Sequence, residues 1–219
     1  MTMRAEFDQG LNEMQTLLAQ MGEQVEKALA DSMDALVKRD AAQAKRVVNE
    51  DLELNRLEER VMERGAKLIA TQQPVAKDLR RILAGFKIAA DLERMGDLSV
   101  DIAKTVLRLD GETLIKPLID LPRMAAIART MIRDSIRSYT EENVELAYKM
   151  AKDDDRVDAL YGQMFRELSS LMVENPKWIG QATLLGFVGR YCERIADYAT
   201  NIGESTVYIA TGTRPDLNG

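Results

Sequence analysis

Hydrophobic positions recur at alternating steps of three and four from the start of the chain: Phe7, Leu11, Met14, Leu18, Met21, Val25 and Leu29. That spacing lines one face of a helix, so a long amphipathic first helix is expected, ending near Lys38. Asp40 is then the expected N-cap of a second helix, whose apolar positions are Val47, Leu54, Leu57, Val61 and Leu68. Gln73-Pro74 breaks it, because proline has no N–H to donate and pushes the residue before it out of helical geometry. A third helix starts just after Pro74. It carries Leu79, Ile82, Phe86, Ile88, Leu92, Ile102 and Val106, and ends at Asp110-Gly111.

After a short connection holding Pro117 and Pro122, the plan repeats. Met124, Ile127, Met131 and Ile132 mark a fourth helix, and Thr140 before Glu141-Glu142 is the expected N-cap of the fifth. The fifth ends near Asn175-Pro176, the counterpart of Gln73-Pro74, and the sixth runs to about Ala210. Asp51, Leu54, Asn55 and Leu57 match Asp154, Val157, Asp158 and Leu160. The predicted fold is therefore all-α: two tandem three-helix bundles related by internal duplication, set end to end. Residues 1–110 form the first repeat, 120–211 the second and 212–219 a flexible tail. Helices of roughly 30 residues span about 45 Å.

Composition narrows the chemistry. Aromatic residues make up only 5% of the chain, in keeping with helix over sheet. Histidine is absent, which removes the commonest general base and the usual zinc ligand together. The single cysteine, Cys192, permits no internal disulfide and stands where the first repeat has Leu92, as a small buried apolar residue would. The twelve methionines fall mostly on apolar helix positions. A net charge of −6 with no basic stripe argues against nucleic acid. With no apolar run long enough to cross a bilayer and no signal-peptide region, a cytosolic location is expected.

One pattern asks for an explanation. Glu93-Arg94-Met95-Gly96-Asp97 returns a hundred residues later as Glu193-Arg194-Ile195-Ala196-Asp197. A further step of four leads to Asp101 in the first copy and Asn201 in the second. Residues four apart lie one above another on a helix, so each copy makes an oxygen-rich stripe of mutually repelling charges. No cation stands three or four residues from Glu93. Counting outward from the proline turns puts Asp51 and Asn55 level with the first stripe, and Asp154, Asp155 and Asp158 level with the second. Hard oxygen ligands of this kind suit magnesium, calcium, manganese or iron and serve zinc less well. The candidate metal ligands are Glu93, Asp97, Asp101, Asp51 and Asn55 in one repeat, and Glu193, Asp197, Asn201, Asp154 and Asp158 in the other. Asn201 in place of Asp101 predicts weaker binding in the second repeat. The plainer reading is a solvated face whose acids meet Arg94, Lys104, Arg190 and Arg194. At the first hairpin tip, Asp78 is expected to serve the helix start and Arg80 to be exposed; at the second, Trp178 anchors the turn or touches a partner.

Gln73-Pro74, Ala76, Asp78-Leu79-Arg80 and Asp91-Leu92-Glu93-Arg94-Met95-Gly96-Asp97, with the second Glu193-Arg194-Ile195-Ala196-Asp197, resemble the signature of the PhoU family. The resemblance runs from about Phe7 to Ala210. It implies a cytoplasmic, usually dimeric protein that is not an enzyme. Its acid-x-x-x-Asp motifs would hold metal ions, sometimes as multinuclear clusters. Its partners would be the ATPase subunit of the phosphate ABC transporter and the phosphate sensor histidine kinase, and its role repression of phosphate uptake and of the phosphate-starvation regulon. Two other functions remain open on the residues alone: a binuclear metal-dependent hydrolase, and a purely structural helical bundle.

Overall fold

The computed structural model describes residues 3–50, 52–109 and 111–218. Among them the regular elements are helices alone: α1 (Met3–Lys38), α2 (Ala41–Glu50), α3 (Leu52–Gln72), α4 (Ala76–Arg108), α5 (Asp120–Glu141), α6 (Val144–Glu174) and α7 (Ile179–Thr211), with a 3₁₀ turn at Pro176–Trp178. Segments α2 and α3 together occupy the place of the predicted second helix. They flank Asp51, which lies outside the described residues, as does Asp110.

The start and stop signals act as their chemistry requires. Asp40 Oδ1 accepts the Gln43 N–H at 2.9 Å, the cap expected there. The fifth predicted helix begins later than expected. Thr140 lies inside α5, its hydroxyl donating to the Arg137 carbonyl at 3.2 Å. Glu142 ends α5 in the left-handed region (φ 51°), and Asn143 Oδ1 caps α6 by accepting the Leu146 N–H at 3.0 Å. Thr140 and Asn143 are both short-chain cap formers, and the asparagine, two positions beyond the last residue of α5, prevails.

In the first bundle α1 packs on α2, α3 and α4; in the second α7 packs on α5 and α6. The two bundles are not end to end. They lie side by side, with α4 along α7 and α1 along α5. The Arg80 guanidinium near the start of α4 donates to the Ile209 carbonyl near the end of α7 (3.3 Å), so these helices run antiparallel. The reason is burial. Both helices bury apolar or small residues on more than one face: α4 buries Ala84, Gly85, Ile88, Ala89, Leu92, Ser99 and Ala103, and α7 buries Val188, Cys192, Ile195, Ala196, Ala199, Ile202 and Val207. An end-to-end placement would leave one of those faces in water. On the other seam Gly22 admits Ile136: a Cβ at residue 22 would lie 2.7 Å from Ile136 Cγ1. The Arg129–Glu26 ion pair (3.0 Å) flanks that contact.

Candidate metal centres in the two repeats

In the second repeat the approach of α6 to α7 is set by small residues. A Cβ on Gly203 would stand 2.8 Å from Met150 Cε, and one on Gly189 only 2.2 Å from Met164 Cε. Between those contacts α7 carries Glu193 and Asp197, and α6 carries Asp154 and Asp158, within electrostatic reach of one another. Asp154 is 6% exposed. Burial first, and then the negative charges of Asp197, Asp158, Glu193 and Asp155, push its carboxyl up to about 7. Burial and Asp197 raise Glu193, against the pull of Arg190; burial and Asp158 raise Asp197. Glu193 nevertheless forms a short ion pair with Arg190. Asp154 Oδ1 and Glu193 Oε2 are buried with no hydrogen-bond partner. Unpartnered buried carboxylate oxygens are costly and rare, and a bound cation is the chemistry that would satisfy them. Asn201 is half-buried one turn beyond Asp197.

The first repeat uses the same scaffold with a different electrostatic outcome. Gly96 meets α3 closely, since a Cβ there would stand 2.3 Å from Leu54 Cδ2. Glu93 and Asp97 are not left without a cation: Arg94 folds back to stand 3.6 Å from each. The neighbour in sequence supplies what the three- and four-residue spacings did not. Lys104 Nζ lies 2.9 Å from Asp101. Asn55 is exposed, and Asp51, the fifth candidate of this repeat, falls outside the described residues.

One side chain missing from the sequence expectation accounts for part of the contrast. Arg194, the counterpart of Arg94, donates to the Tyr198 hydroxyl at 3.2 Å and lies over its ring at 5.7 Å from the centroid. The first repeat has Leu98 at that position, with nothing to divert the arginine. Asp155 also acts on Asp154, as part of a run of three acids of which only the middle member is fully buried. Among the described residues, no group of three or more Asp, Glu or Cys side chains stands close enough to hold a metal ion in the arrangement seen. The second cluster fits a hard cation by donor type and by its two orphan oxygens; the first offers the same donor types already paired with arginine and lysine.

The remaining sequence candidates have structural roles. Cys192 is fully buried, and burial alone pushes its thiol up to about 12, so it is no nucleophile. Asp78 ion-pairs with Arg4 at 2.5 Å and Arg81 at 3.4 Å. Arg80 is half-buried against the end of α7, where an exposed side chain was expected. The Trp178 N–H donates to the Asn175 carbonyl at 2.9 Å and closes the second hairpin turn.

Comparison with known proteins agrees with this architecture. The PhoU domain matches the chain twice, over residues 18–106 and 121–206. A phosphate-specific transport system accessory protein PhoU homolog from Clostridium acetobutylicum is 41% identical over 213 residues, 97% of each chain. Its counterpart from Rhizobium meliloti is 38% identical, covering 95% of this chain and 89% of the relative. The crystal structure of PhoU from Pseudomonas aeruginosa superposes with a TM-score of 0.90 at 30% identity, covering 94% of this chain and 100% of that one. The phosphate transport system regulatory protein PhoU from Streptococcus pneumoniae gives 0.89 at 29% identity, covering 96% and 99%.

Proposed function

The chain belongs to the PhoU family, and from that premise we propose that it is a cytoplasmic negative regulator of phosphate uptake and of the phosphate-starvation regulon. It works by binding rather than catalysis, as an adaptor between the ATPase subunit of the phosphate ABC transporter and the phosphate sensor histidine kinase. Its relatives carry the name of accessory proteins of a phosphate-specific transport system, which supports the first of those partners. No helix among the described residues is long and apolar enough to cross a membrane; in this reading the membrane-embedded partners are met from the cytoplasmic side.

The observation that carries the metal-binding part of this reading is the pair of orphan oxygens, Asp154 Oδ1 and Glu193 Oε2, inside a cluster of mutually repelling carboxylates. Glu193, Asp197, Asp154 and Asp158, with the Asn201 carbonyl, would hold a hard cation there; Glu93, Asp97, Asp101, Asp51 and Asn55 would do so in the first repeat. A bound cation supplies positive charge that relieves the repulsion and draws α6 and α7 together. The protein acts as a homodimer in this reading. The regulatory part is tested by a reporter of phosphate-responsive transcription in a strain lacking the gene. Expression in phosphate-rich medium is the expected result, and normal repression with no second gene copy rejects the proposal.

A further inference from the structure

The duplication places equivalent residues of the two repeats toward opposite ends of the α4–α7 seam, so the ends can be compared. Toward one end Tyr191 of α7 stands within electrostatic reach of Asp101, Lys104 and Arg108 of α4. Toward the other the equivalent of Tyr191 is Asp91, and Lys104 and Arg108 become Glu204 and Tyr208. Both cations are lost there and two acids are gained. Those acids are shut in: Asp91 is 7% exposed and Glu204 8%. Burial raises the Asp91 carboxyl, Lys87 at 2.9 Å and then Arg214 draw it down, and Glu204 pushes it up again. Arg214 belongs to neither helix of the seam. It lies three residues beyond the end of α7.

The chain after α7 turns back along that helix. Gly212 takes the left-handed conformation (φ 82°), which glycine adopts without strain, and its N–H donates to the Tyr208 carbonyl at 2.9 Å. Arg80 of α4 meets this turn, donating to the Ile209 carbonyl at 3.3 Å; a Cβ on Gly212 would lie 3.7 Å from its Nη1. Arg214 then lies over the Tyr208 ring, 5.7 Å from the centroid. The Leu217 N–H donates to Glu204 Oε1 at 3.0 Å, thirteen residues back, and Pro215 and Leu217 are half-buried. The segment after α4 is held at the opposite end by Gln181 of α7. That side chain accepts the Ile115 N–H at 2.6 Å and donates to Glu112 Oε2 at 2.9 Å and to the Thr113 carbonyl at 3.1 Å. One end of the seam is thus closed through a neutral amide, the other through a buried carboxylate and an arginine.

We propose that residues 212–217 are an electrostatic strap, which closes over the α4–α7 seam with Arg214 balancing Asp91 and the Leu217 amide on Glu204, and so holds the end of α7 against α4. Opening it takes the amide from Glu204 and the cation from Asp91, so the two enclosed acids favour the closed form. The strap draws on neither the metal nor the regulatory reading above.

Hydrogen–deuterium exchange of the Leu217 amide in the full chain follows the strap, with thermal unfolding alongside. In the native chain that amide is expected to exchange at least about tenfold more slowly than in a free peptide of residues 209–219. Arg214→Glu sets a like charge against Asp91, and is expected to remove most of the protection and to lower Tm by about 2–4 °C. Arg214→Lys keeps the charge and is expected to keep the protection. Leu217→Pro has no N–H to give Glu204, and its Tm is expected to fall by about 2–4 °C as well. Circular dichroism establishes that each variant is folded; all three substitutions lie outside the helices. A native Leu217 amide that exchanges at the rate of the free peptide overturns the proposal, as does unchanged protection in Arg214→Glu. Equal loss of protection in Arg214→Lys and Arg214→Glu overturns its electrostatic basis. A native Tm in folded Leu217→Pro overturns it too, by making the segment a passive cover of the seam.

Discussion

The two acidic stripes share motif, spacing and scaffold, yet they differ in how their charges are balanced. In the first repeat Arg94 and Lys104 neutralise Glu93, Asp97 and Asp101 from within. In the second, Arg194 turns to Tyr198, a glutamate (Glu204) stands where Lys104 was, and the middle acid of the Asp153–Asp155 run is buried. A duplicated motif therefore states which oxygens face a neighbouring helix, and the residues around it decide whether those oxygens lack a partner. Counting charges along the stripe alone favours the first repeat, because Asp101 is replaced by Asn201. Adding the facing helix cancels that difference, since Asp158 replaces Asn55. What is left is desolvation, which favours a cation in the second repeat against the Arg190–Glu193 pair, whose arginine has Ala90 as its counterpart in the first.

The largest expected effect comes from removing the buried charge. Asp154 has a usual pKa of 3.8 and a folded-state value of about 7. The folded protein therefore keeps a proton that the unfolded chain gives up between those values. This contribution to stability is fully present below about pH 4, and it is lost as pH rises through about 7. Asp154→Asn keeps the shape and cannot ionise. At pH 8 without metal it is expected to stabilise the chain by roughly 2–4 kcal/mol, a Tm rise of roughly 4–16 °C, while at pH 4 the two proteins converge. Thermal unfolding across pH checks it; equal Tm at pH 8 would mean that Asp154 is solvated. The same variant is expected to lose metal affinity in the second repeat, and native affinity there is expected to fall as pH drops below 7, because protons and cations compete for the same oxygens.

A direct comparison of the sites ranks next. Asp197→Ala and Asp97→Ala each remove the central oxygen of one stripe, and each is expected to reduce bound metal while leaving the fold intact. With one site disabled at a time, the second repeat is expected to bind about tenfold more tightly than the first, a difference of about 1.4 kcal/mol. Elemental analysis and calorimetric titration of the two variants decide it. A tighter first repeat would show that Asp101 outweighs burial, and unchanged stoichiometry in both variants would remove the metal assignment altogether.

Much of this was legible in the chain. The steps of three and four located the helices, and repetition of the acid motif located both stripes. The side-by-side placement was harder to see, because duplication says nothing about how two repeats meet. Its signal was the second apolar face of α4 and α7, written in small residues such as Gly85, Ala89, Ala196 and Ala199. Counting from the proline turn put Asp154 and Asp155 alike at the height of the stripe and left open which of them is buried. Helical phase distinguishes them, for Asp154 lies four residues after Met150 and three before Val157, both fully buried.

The smallest expected effect isolates the role of Tyr198. Its hydroxyl accepts from Arg194, and its ring lies beneath the guanidinium, so the cation acts on Glu193 and Asp197 through space without forming an ion pair with either. Tyr198→Leu gives the second repeat the residue of the first. Arg194 is then free to fold back on Glu193 and Asp197, as Arg94 does on Glu93 and Asp97 at 3.6 Å. A pair so exposed gains only about 0.5–1 kcal/mol, so metal affinity in the second repeat is expected to fall by roughly two- to fivefold. Leu98→Tyr is expected to move the first repeat the other way by a similar factor. Titrating both variants at 10 mM and 500 mM salt separates the electrostatic effect from packing, since a loss caused by Arg194 shrinks as salt rises. Equal affinity of Tyr198→Leu and the native chain at low salt would show that Tyr198 leaves the acids unaffected, and that burial of Asp154 alone distinguishes the two centres.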